Sequence, residues 1–391
     1  MADKEKQQAA DENKIDHYVK QGLIATGKHA QVWEVQEENT SNRFALKVLL
    51  AEAMLDPKQI AIMKFEGKVA QALDHPNIIK WIATVHRKTN VYLVLELFRA
   101  LNIKNFLAND TLGVQMRLRK VIECVCQALQ HMHERGWAHL DVKPDNILLN
   151  KSSEVKLIDF SLSQKIKSGI GKLLGGGGKD IGGTLTYIAP ETLRKEALTA
   201  QTDIYSLGIT IFECLTGTTP FKGSSPKDLM LKQLSAVPAA PSEYNKNVAP
   251  EMDRMVLRML AKKPANRQKN MQEVISEFRN VQKIFKEDPE KLFEQKALEA
   301  KEGDKQQSLG KRLDSRTDHR RSEEIKTNPE MAKQLAASAN PPTQPKAVVK
   351  SPQPAAASKA PAKPQPAAVP PLRPPAMPMP QPMAASFPPP M

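Results

Sequence analysis

An α+β fold in two unequal lobes is predicted by three observations along the chain. From Tyr18 to Leu97 strand-like runs dominate, alternating apolar and polar as far as Val35, with a single helical stretch among them. From Phe98 to Phe285 helical periodicities dominate, and beyond Asn340 proline and alanine replace the core-forming residues. The expected organisation is a disordered lead-in over 1–17, a folded domain over 18–285, a charged, partly helical extension over 286–339 and a disordered tail over 340–391. The smaller, mainly β lobe ends near Leu97, and the larger, mainly helical lobe follows it.

Composition bounds what this fold can serve. An apolar content of 40% in 391 residues suffices for a sizeable core, although aromatics make up only 5%. The net charge of +14 would permit contact with nucleic acid or a membrane surface. The basic residues are dispersed, however, and no stacking aromatics are interleaved with them, so neither partner is expected. They read as solvated surface, some of it complementing an anionic nucleotide or an acidic substrate. Cys124 and Cys126 lie two apart on one helix and face different ways, which suits neither a disulfide nor a metal site. An odd cysteine count, no leader peptide and no long apolar segment together predict a reducing, cytoplasmic setting without a membrane span.

The small lobe opens with an alternating run from Tyr18 to Val35 that is broken by small residues around Ala25, Gly27 and Ala30. Such a hairpin tip either marks a plain turn at Gly27 or brings backbone N–H groups close to phosphate. Phe44 to Leu50 is an apolar strand interrupted by Lys47. A lysine there either snorkels to the surface or meets an anion, because burying it unpaired is costly. Pro57 to Leu73 is helical and carries Glu66, a solvent-facing residue or a partner for Lys47. Turn chemistry at Asp74-His75-Pro76-Asn77 stops that helix. Ile78 to Thr84 and Val91 to Leu95 complete the lobe as strands, giving five strands and one helix.

In the larger lobe Leu118 to Glu134 is helical and ends at Gly136. Ser161 to Thr186 is polar, basic and glycine-rich, and the four glycines Gly175 to Gly178 predict a mobile segment. Helices are then expected over Thr202 to Leu215, Pro226 to Leu234, Pro250 to Leu260 and Met271 to Phe285.

Between these helices lies the stretch richest in chemistry: His139-Leu140-Asp141-Val142-Lys143-Pro144-Asp145-Asn146. Two short apolar runs follow, Ile147 to Leu149 and Val155 to Ile158, the second ending on Asp159-Phe160. Paired as a hairpin, they would gather Asp141, Lys143, Asn146 and Asp159 around one small volume. That set holds a proton acceptor, a cation and two oxygen ligands for Mg2+. Phosphoryl transfer needs such a set, because its catalysis is mostly positioning and charge neutralisation.

On these residues the chain resembles the eukaryotic-type serine/threonine protein kinases from about Tyr18 to Phe285. The resemblance implies a bilobal kinase-like fold that uses ATP and Mg2+ and phosphorylates Ser/Thr hydroxyls of protein substrates. It implies Asp141 as the catalytic base, Lys143 at the γ-phosphate, and Asn146 and Asp159 as metal ligands. Lys47 would hold the α- and β-phosphates and pair with Glu66. Ile24, Ala25, Gly27 and Val32 would form the phosphate loop. The adenine would lie between Val32 and Ala45 above and Leu148 below, with Leu95 as gatekeeper and the backbones of Glu96 and Phe98 at the hinge. Thr184, in Gly183-Thr184-Leu185-Thr186-Tyr187-Ile188-Ala189-Pro190-Glu191, would join the catalytic group. Together with Lys143 it implies serine/threonine specificity. Glu191 would pair with Arg267, and Asp203 would anchor the catalytic loop from below.

Three departures from the family's pattern stand out. Ala25 and Ala30 stand where outer glycines are usual, implying a looser grip on phosphate. Leu140 replaces the arginine that often precedes the base, so that arginine's pairing with a phosphorylated activation segment is lacking. Ser161 replaces the glycine after Asp159-Phe160. These departures favour the alternative of a pseudokinase that binds ATP and recruits partners through its tail. The intact Lys47, Glu66, Asp141, Asn146 and Asp159 oppose it. A small-molecule kinase is disfavoured because Lys143 and the Ala-Pro-Glu segment are both present. In the tail, Pro370 to Pro375 reads either as a ligand for a polyproline-reading domain or as an unread spacer.

Overall fold

Six antiparallel strands build the first lobe in the order β1-β2-β3-β4-β6-β5: β1 (Lys14–Ile15), β2 (Tyr18–Thr26), β3 (Ala30–Glu37), β4 (Arg43–Leu49), β5 (Trp81–His86) and β6 (Val91–Glu96). They belong to a computed structural model that describes residues 13–166, 185–295 and 298. Side chains alternate across this sheet with period two. Val35, Leu46, Val48, Tyr92 and Val94 cluster with Ile15 and Tyr18. Leu49 and Leu93 pack with Ala53 and Met63 of the helices α1 (Ala51–Met54) and α2 (Pro57–Gln71). Lys47, between Leu46 and Val48, shares the face of Leu49. The ladder sets it opposite Val32 on one side and Leu93 on the other.

Three expectations for this lobe need correction. Residues 14–17 are not part of a disordered lead-in: β1 pairs with β2, Ile15 is buried, and Asp16 accepts the Tyr92 hydroxyl at 2.7 Å. The strand expected from Ile78 starts at Trp81. Ile78 and Ile79 instead bury against the other lobe, where the Ile79 N–H donates to the Leu157 carbonyl and the Leu157 N–H to that of Asn77. α1 is also additional to the single helix expected. Asp56 caps α2, whose first residue is Pro57. A Cβ on Gly67 would collide with Thr84, so α2 can approach β5 this closely only with glycine beside Glu66.

The second lobe is mainly helical: α3 (Ile103–Asn109), α4 (Thr111–Glu134), α5 (Pro190–Leu193), α6 (Ala200–Thr216), α7 (Pro226–Ser235), α8 (Pro241–Tyr244), α9 (Pro250–Met259) and α10 (Met271–Asn280). Every residue of α6 from Thr202 to Leu215 is buried, as expected of a helix at the centre of a core. Thr199 and Thr202 form its capping box, and Gly217 closes it at φ +73°. α4 starts before the expected Leu118, because Asp110 accepts the Gly113 N–H and caps an earlier turn. α10 ends at Asn280, short of the expected Phe285. There the chain turns so that Val281, Ile284 and Phe285 bury, Phe285 bridging to Val248.

Small strands fasten the loops between the helices. β9 (Ile147–Leu149) pairs with β10 (Val155–Leu157) and with β7 (Leu101–Asn102), and β8 (Trp137–Ala138) pairs with β11 (Gln164–Lys165). Thr184 and the Gly175–Gly178 run lie outside the described residues, as do residues 1–12, most of the extension expected from Lys286, and the whole proline-rich tail. Among the described residues no helix is long and apolar enough to cross a membrane.

Candidate functional site

β4 and α2 bring a lysine and a glutamate together in the partly dry space between the lobes. Lys47 Nζ lies 2.7 Å and 2.8 Å from the two Glu66 carboxylate oxygens and 3.5 Å from Asp159 Oδ1. Burial works against the Lys47 ammonium, but Glu66 and then Asp159 hold its pKa above the ordinary lysine range. Burial would raise the Asp159 carboxyl too, yet the Lys47 charge and the hydrogen bonds from Ser161 together outweigh it and keep Asp159 well below the usual range. Glu66 bears the desolvation instead, its carboxyl pushed up to about 7 by burial despite the attraction of Lys47. Two carboxylates thus share one cation, and Asp159, the more exposed, is the one held firmly ionised.

The opposite wall is the loop between β8 and β9. Asp141 accepts from Lys143 Nζ at 2.8 Å and from Asn146 Nδ2 at 2.8 Å, and Asn146 Nδ2 also donates to the Asp141 carbonyl. With its amide nitrogen committed to Asp141, Asn146 has its oxygen to offer a ligand. Leu140 sits at φ +67° and Asp159 at φ +68°, a left-handed region unfavourable to residues with a Cβ. Asp203, wholly buried on α6, stabilises the first: its oxygens accept the His139 N–H at 2.8 Å and the Leu140 N–H at 2.7 Å. Burial would raise the Asp203 pKa, but the bond from His133, then the nearby His139 ring and the Leu140 N–H, lower it. At the second strained position the Ser161 N–H donates to Asp159 Oδ1, and Phe160 is buried edge-on to His139.

A cleft of about 600 Å³ lies between these walls. Ile24, Ala25, Gly27, Val32 and Ala45 line it from the sheet, Leu95 and Glu96 from the end of β6, Phe98 from the connection that follows, and Leu148 from β9. Lys47, Glu66, Asn146 and Asp159 close its inner end. At the hairpin tip the Gly27 N–H donates to the Ala30 carbonyl at 2.8 Å. The Glu96 side chain ties the lobes together, accepting the Lys80 N–H at 2.8 Å and Lys156 Nζ at 2.7 Å.

Below the cleft a second group supports the turn at Leu185–Tyr187. Arg267 donates to both Glu191 oxygens, at 2.7 Å and 2.8 Å, with neither side chain more than 1% exposed. The Tyr187 hydroxyl donates to Glu213, which also accepts Lys104 Nζ.

Sequence reasoning missed some of the lining. Ile158 faces the cleft from the residue before Asp159, and the alternation after the buried Leu157 was the available signal. Asn102 and Asn105 stand at the mouth, where Asn102 caps α3 by accepting the Asn105 N–H. Only the helix-start chemistry of an asparagine hinted at that place.

Residues 18–278 match the protein kinase domain family. Similar curated proteins include the serine/threonine-protein kinase PknB of Mycolicibacterium smegmatis, 32% identical over 262 residues, which are 64% of this chain and 41% of that protein. PknB of Mycobacterium leprae is 29% identical over 256 residues, again 64% and 41%. The serine/threonine-protein kinase PrkC of Bacillus subtilis is 29% identical over 246 residues, 63% of this chain and 37% of that one. The chain thus spans about two-fifths of the length of these relatives.

Proposed function

The chain belongs to the protein kinase family, and from that premise we propose that it transfers the γ-phosphoryl group of ATP to serine and threonine hydroxyls of proteins. Asp141 orients the incoming hydroxyl and accepts its proton late in the transfer, so its placement by Lys143 and Asn146 matters more than its basicity. The hydroxyl oxygen forms a new P–O bond as the bond to the ADP oxygen breaks. Lys47, held by Glu66, steadies the α- and β-phosphates, and Lys143 offsets charge on the moving group. The adenine lies between Val32 and Ala45 on one side and Leu148 on the other, beside Leu95, with the Glu96 and Phe98 backbones to bind its edge.

The donor chemistry of Asn146 and Asp159 fits Mg2+, a hard cation that takes few protein oxygens and keeps water and phosphate as its other ligands. Among the described residues no three His, Cys, Asp or Glu side chains gather into a metal cage. Asn146 and Asp159 would hold Mg2+ through their side-chain oxygens, and the ion when bound would supply positive charge that offsets that of the phosphates. The methyl groups of Ala25 and Ala30 weaken the phosphate grip without abolishing it.

One observation carries this reading. Lys47, paired to Glu66 in the sheet lobe, reaches across 112 positions of sequence to within 3.5 Å of Asp159 in the helical lobe. The proposal extends to Thr184 as part of the catalytic group, to a catalytic domain over 18–285, to a cytoplasmic setting and to a polyproline-reading partner at Pro370–Pro375. The test is incubation with γ-labelled ATP, Mg2+ and a generic protein substrate, followed by mapping of the labelled residues. Label on serine and threonine supports the reading. No transfer at all would leave the pseudokinase alternative standing.

A further inference from the structure

A buried glutamine joins the helical core to the turn just ahead of Pro190-Glu191. Gln233, near the end of α7, has no solvent exposure. Its Nε2 donates to the Thr186 carbonyl, and its Oε1 accepts the Tyr205 hydroxyl. An amide can point either end at a neighbour, and the Tyr205 O–H decides here which end faces Thr186. The next carbonyl along, that of Tyr187, accepts Ser206 Oγ at 2.8 Å. Two successive peptide planes of the Leu185–Tyr187 turn are thus tied inward, while Leu185 and Thr186 themselves stay part-exposed.

Cations in turn hold the end of α7 that carries Gln233. Lys262 Nζ donates to the Gln233 carbonyl at 2.9 Å, to the Lys232 carbonyl at 3.3 Å and to the Tyr205 hydroxyl at 3.1 Å. The same ammonium lies 3.9 Å from the centre of the Phe221 ring. Arg194, at the end of α5, donates to the Leu234 carbonyl at 3.2 Å. Positive charge on the last carbonyls of a helix is favourable, so α7 is fixed from two other elements at once. Such an arrangement preserves the orientation of one amide and, through it, of one turn.

Resting on the kinase reading above, we propose that Gln233, oriented by Tyr205 and seated by Lys262, is a positioning residue for the polypeptide substrate. It sets the Leu185–Tyr187 turn in the form against which the acceptor chain docks, and it has no part in holding the nucleotide. Loss of this single neutral tie should raise the KM for peptide by about 3- to 10-fold, the scale of one such hydrogen bond. The KM for ATP should stay unchanged.

The experiment compares wild type, Gln233→Met and Tyr205→Phe by initial rates, varying peptide and ATP separately, with melting temperatures alongside. The expected result is a higher peptide KM in both variants, smaller in Tyr205→Phe, with the ATP KM unmoved. Tyr205→Phe removes one oxygen only and decides the matter if Gln233→Met does not fold. An active wild type whose variants keep its peptide KM overturns this inference alone. So does a parallel change in both KM values and kcat that tracks the melting temperature, since that marks a merely structural role. A wild type that transfers no phosphate overturns the kinase reading and this inference with it.

Discussion

Replacing Glu66 with glutamine should separate activity from stability. The carboxylate makes two close contacts with Lys47, and the substitution keeps the shape while removing the charge. A hydrogen bond to a charged group contributes about 1.5–3 kcal/mol. At about 1.4 kcal/mol for each tenfold in rate, losing one such bond lowers kcat/KM by about 10- to 150-fold, because Lys47 then leans towards Asp159 and away from the phosphates. Stability behaves differently. Burial pushes the Glu66 carboxyl up to about 7 from an ordinary 4.5, so the stability it lends the folded state is lost as pH rises between those values and its ionised form is a fixed liability above them. The Lys47 charge is not orphaned either, since Asp159 stays beside it at 3.5 Å. The melting temperature at pH 8 should therefore move by no more than about 4 °C, equivalent to about 1 kcal/mol in a domain of this size. The assay is phosphate transfer to a protein substrate, with thermal unfolding of the same samples. Unchanged kcat/KM in Glu66→Gln would refute the reasoning.

Other perturbations probe other parts. Arg267→Met leaves the Glu191 carboxylate buried and unpaired, and denaturant unfolding should show a loss of about 3–5 kcal/mol. Burial, then the neighbouring Arg267 and Arg194, hold Lys262 down to about 8, while the unfolded chain keeps its proton to about 10.5. The folded state releases that proton first, so melting temperatures should gain from this group as pH rises from about 8 to about 10.5; Lys262→Met should remove that gain, and an identical slope in both proteins would contradict it. Leu140 offers no charge to a phosphate, so phosphatase treatment should leave the rate on a substrate peptide unchanged, and a collapse would show a dependence on phosphorylation.

What could be read from the chain in advance depended on how local each signal was. Asp141, Lys143, Asn146 and Asp159 fall within one short stretch, and two apolar runs flanking a polar turn were enough to fold them together. Lys47 stood out because a lysine inside an apolar strand is chemically anomalous. Glu66 looks like any glutamate on a helix; its burial arises only when α2 is pressed onto the sheet at Gly67. The same holds more strongly for Gln233 and Lys262, whose neighbours come from α6, α7 and the Leu185–Tyr187 turn and leave no pattern along the sequence. Boundaries failed where tertiary packing overrode local preference. Ile78 left its strand to bury against Leu157, and Val281, Ile284 and Phe285 left their helix to bury, Phe285 beside Val248.

The most direct test of the central claim compares phosphate transfer from ATP to a protein substrate by wild type and by Asp141→Asn, with nucleotide affinity measured on both. The asparagine keeps the shape held by Lys143 and Asn146 but cannot take up the proton of the hydroxyl. Loss of the base should lower the transfer rate by about 10²- to 10⁴-fold while ATP affinity stays near that of wild type. Transfer by Asp141→Asn at the wild-type rate would contradict the assignment of the cleft.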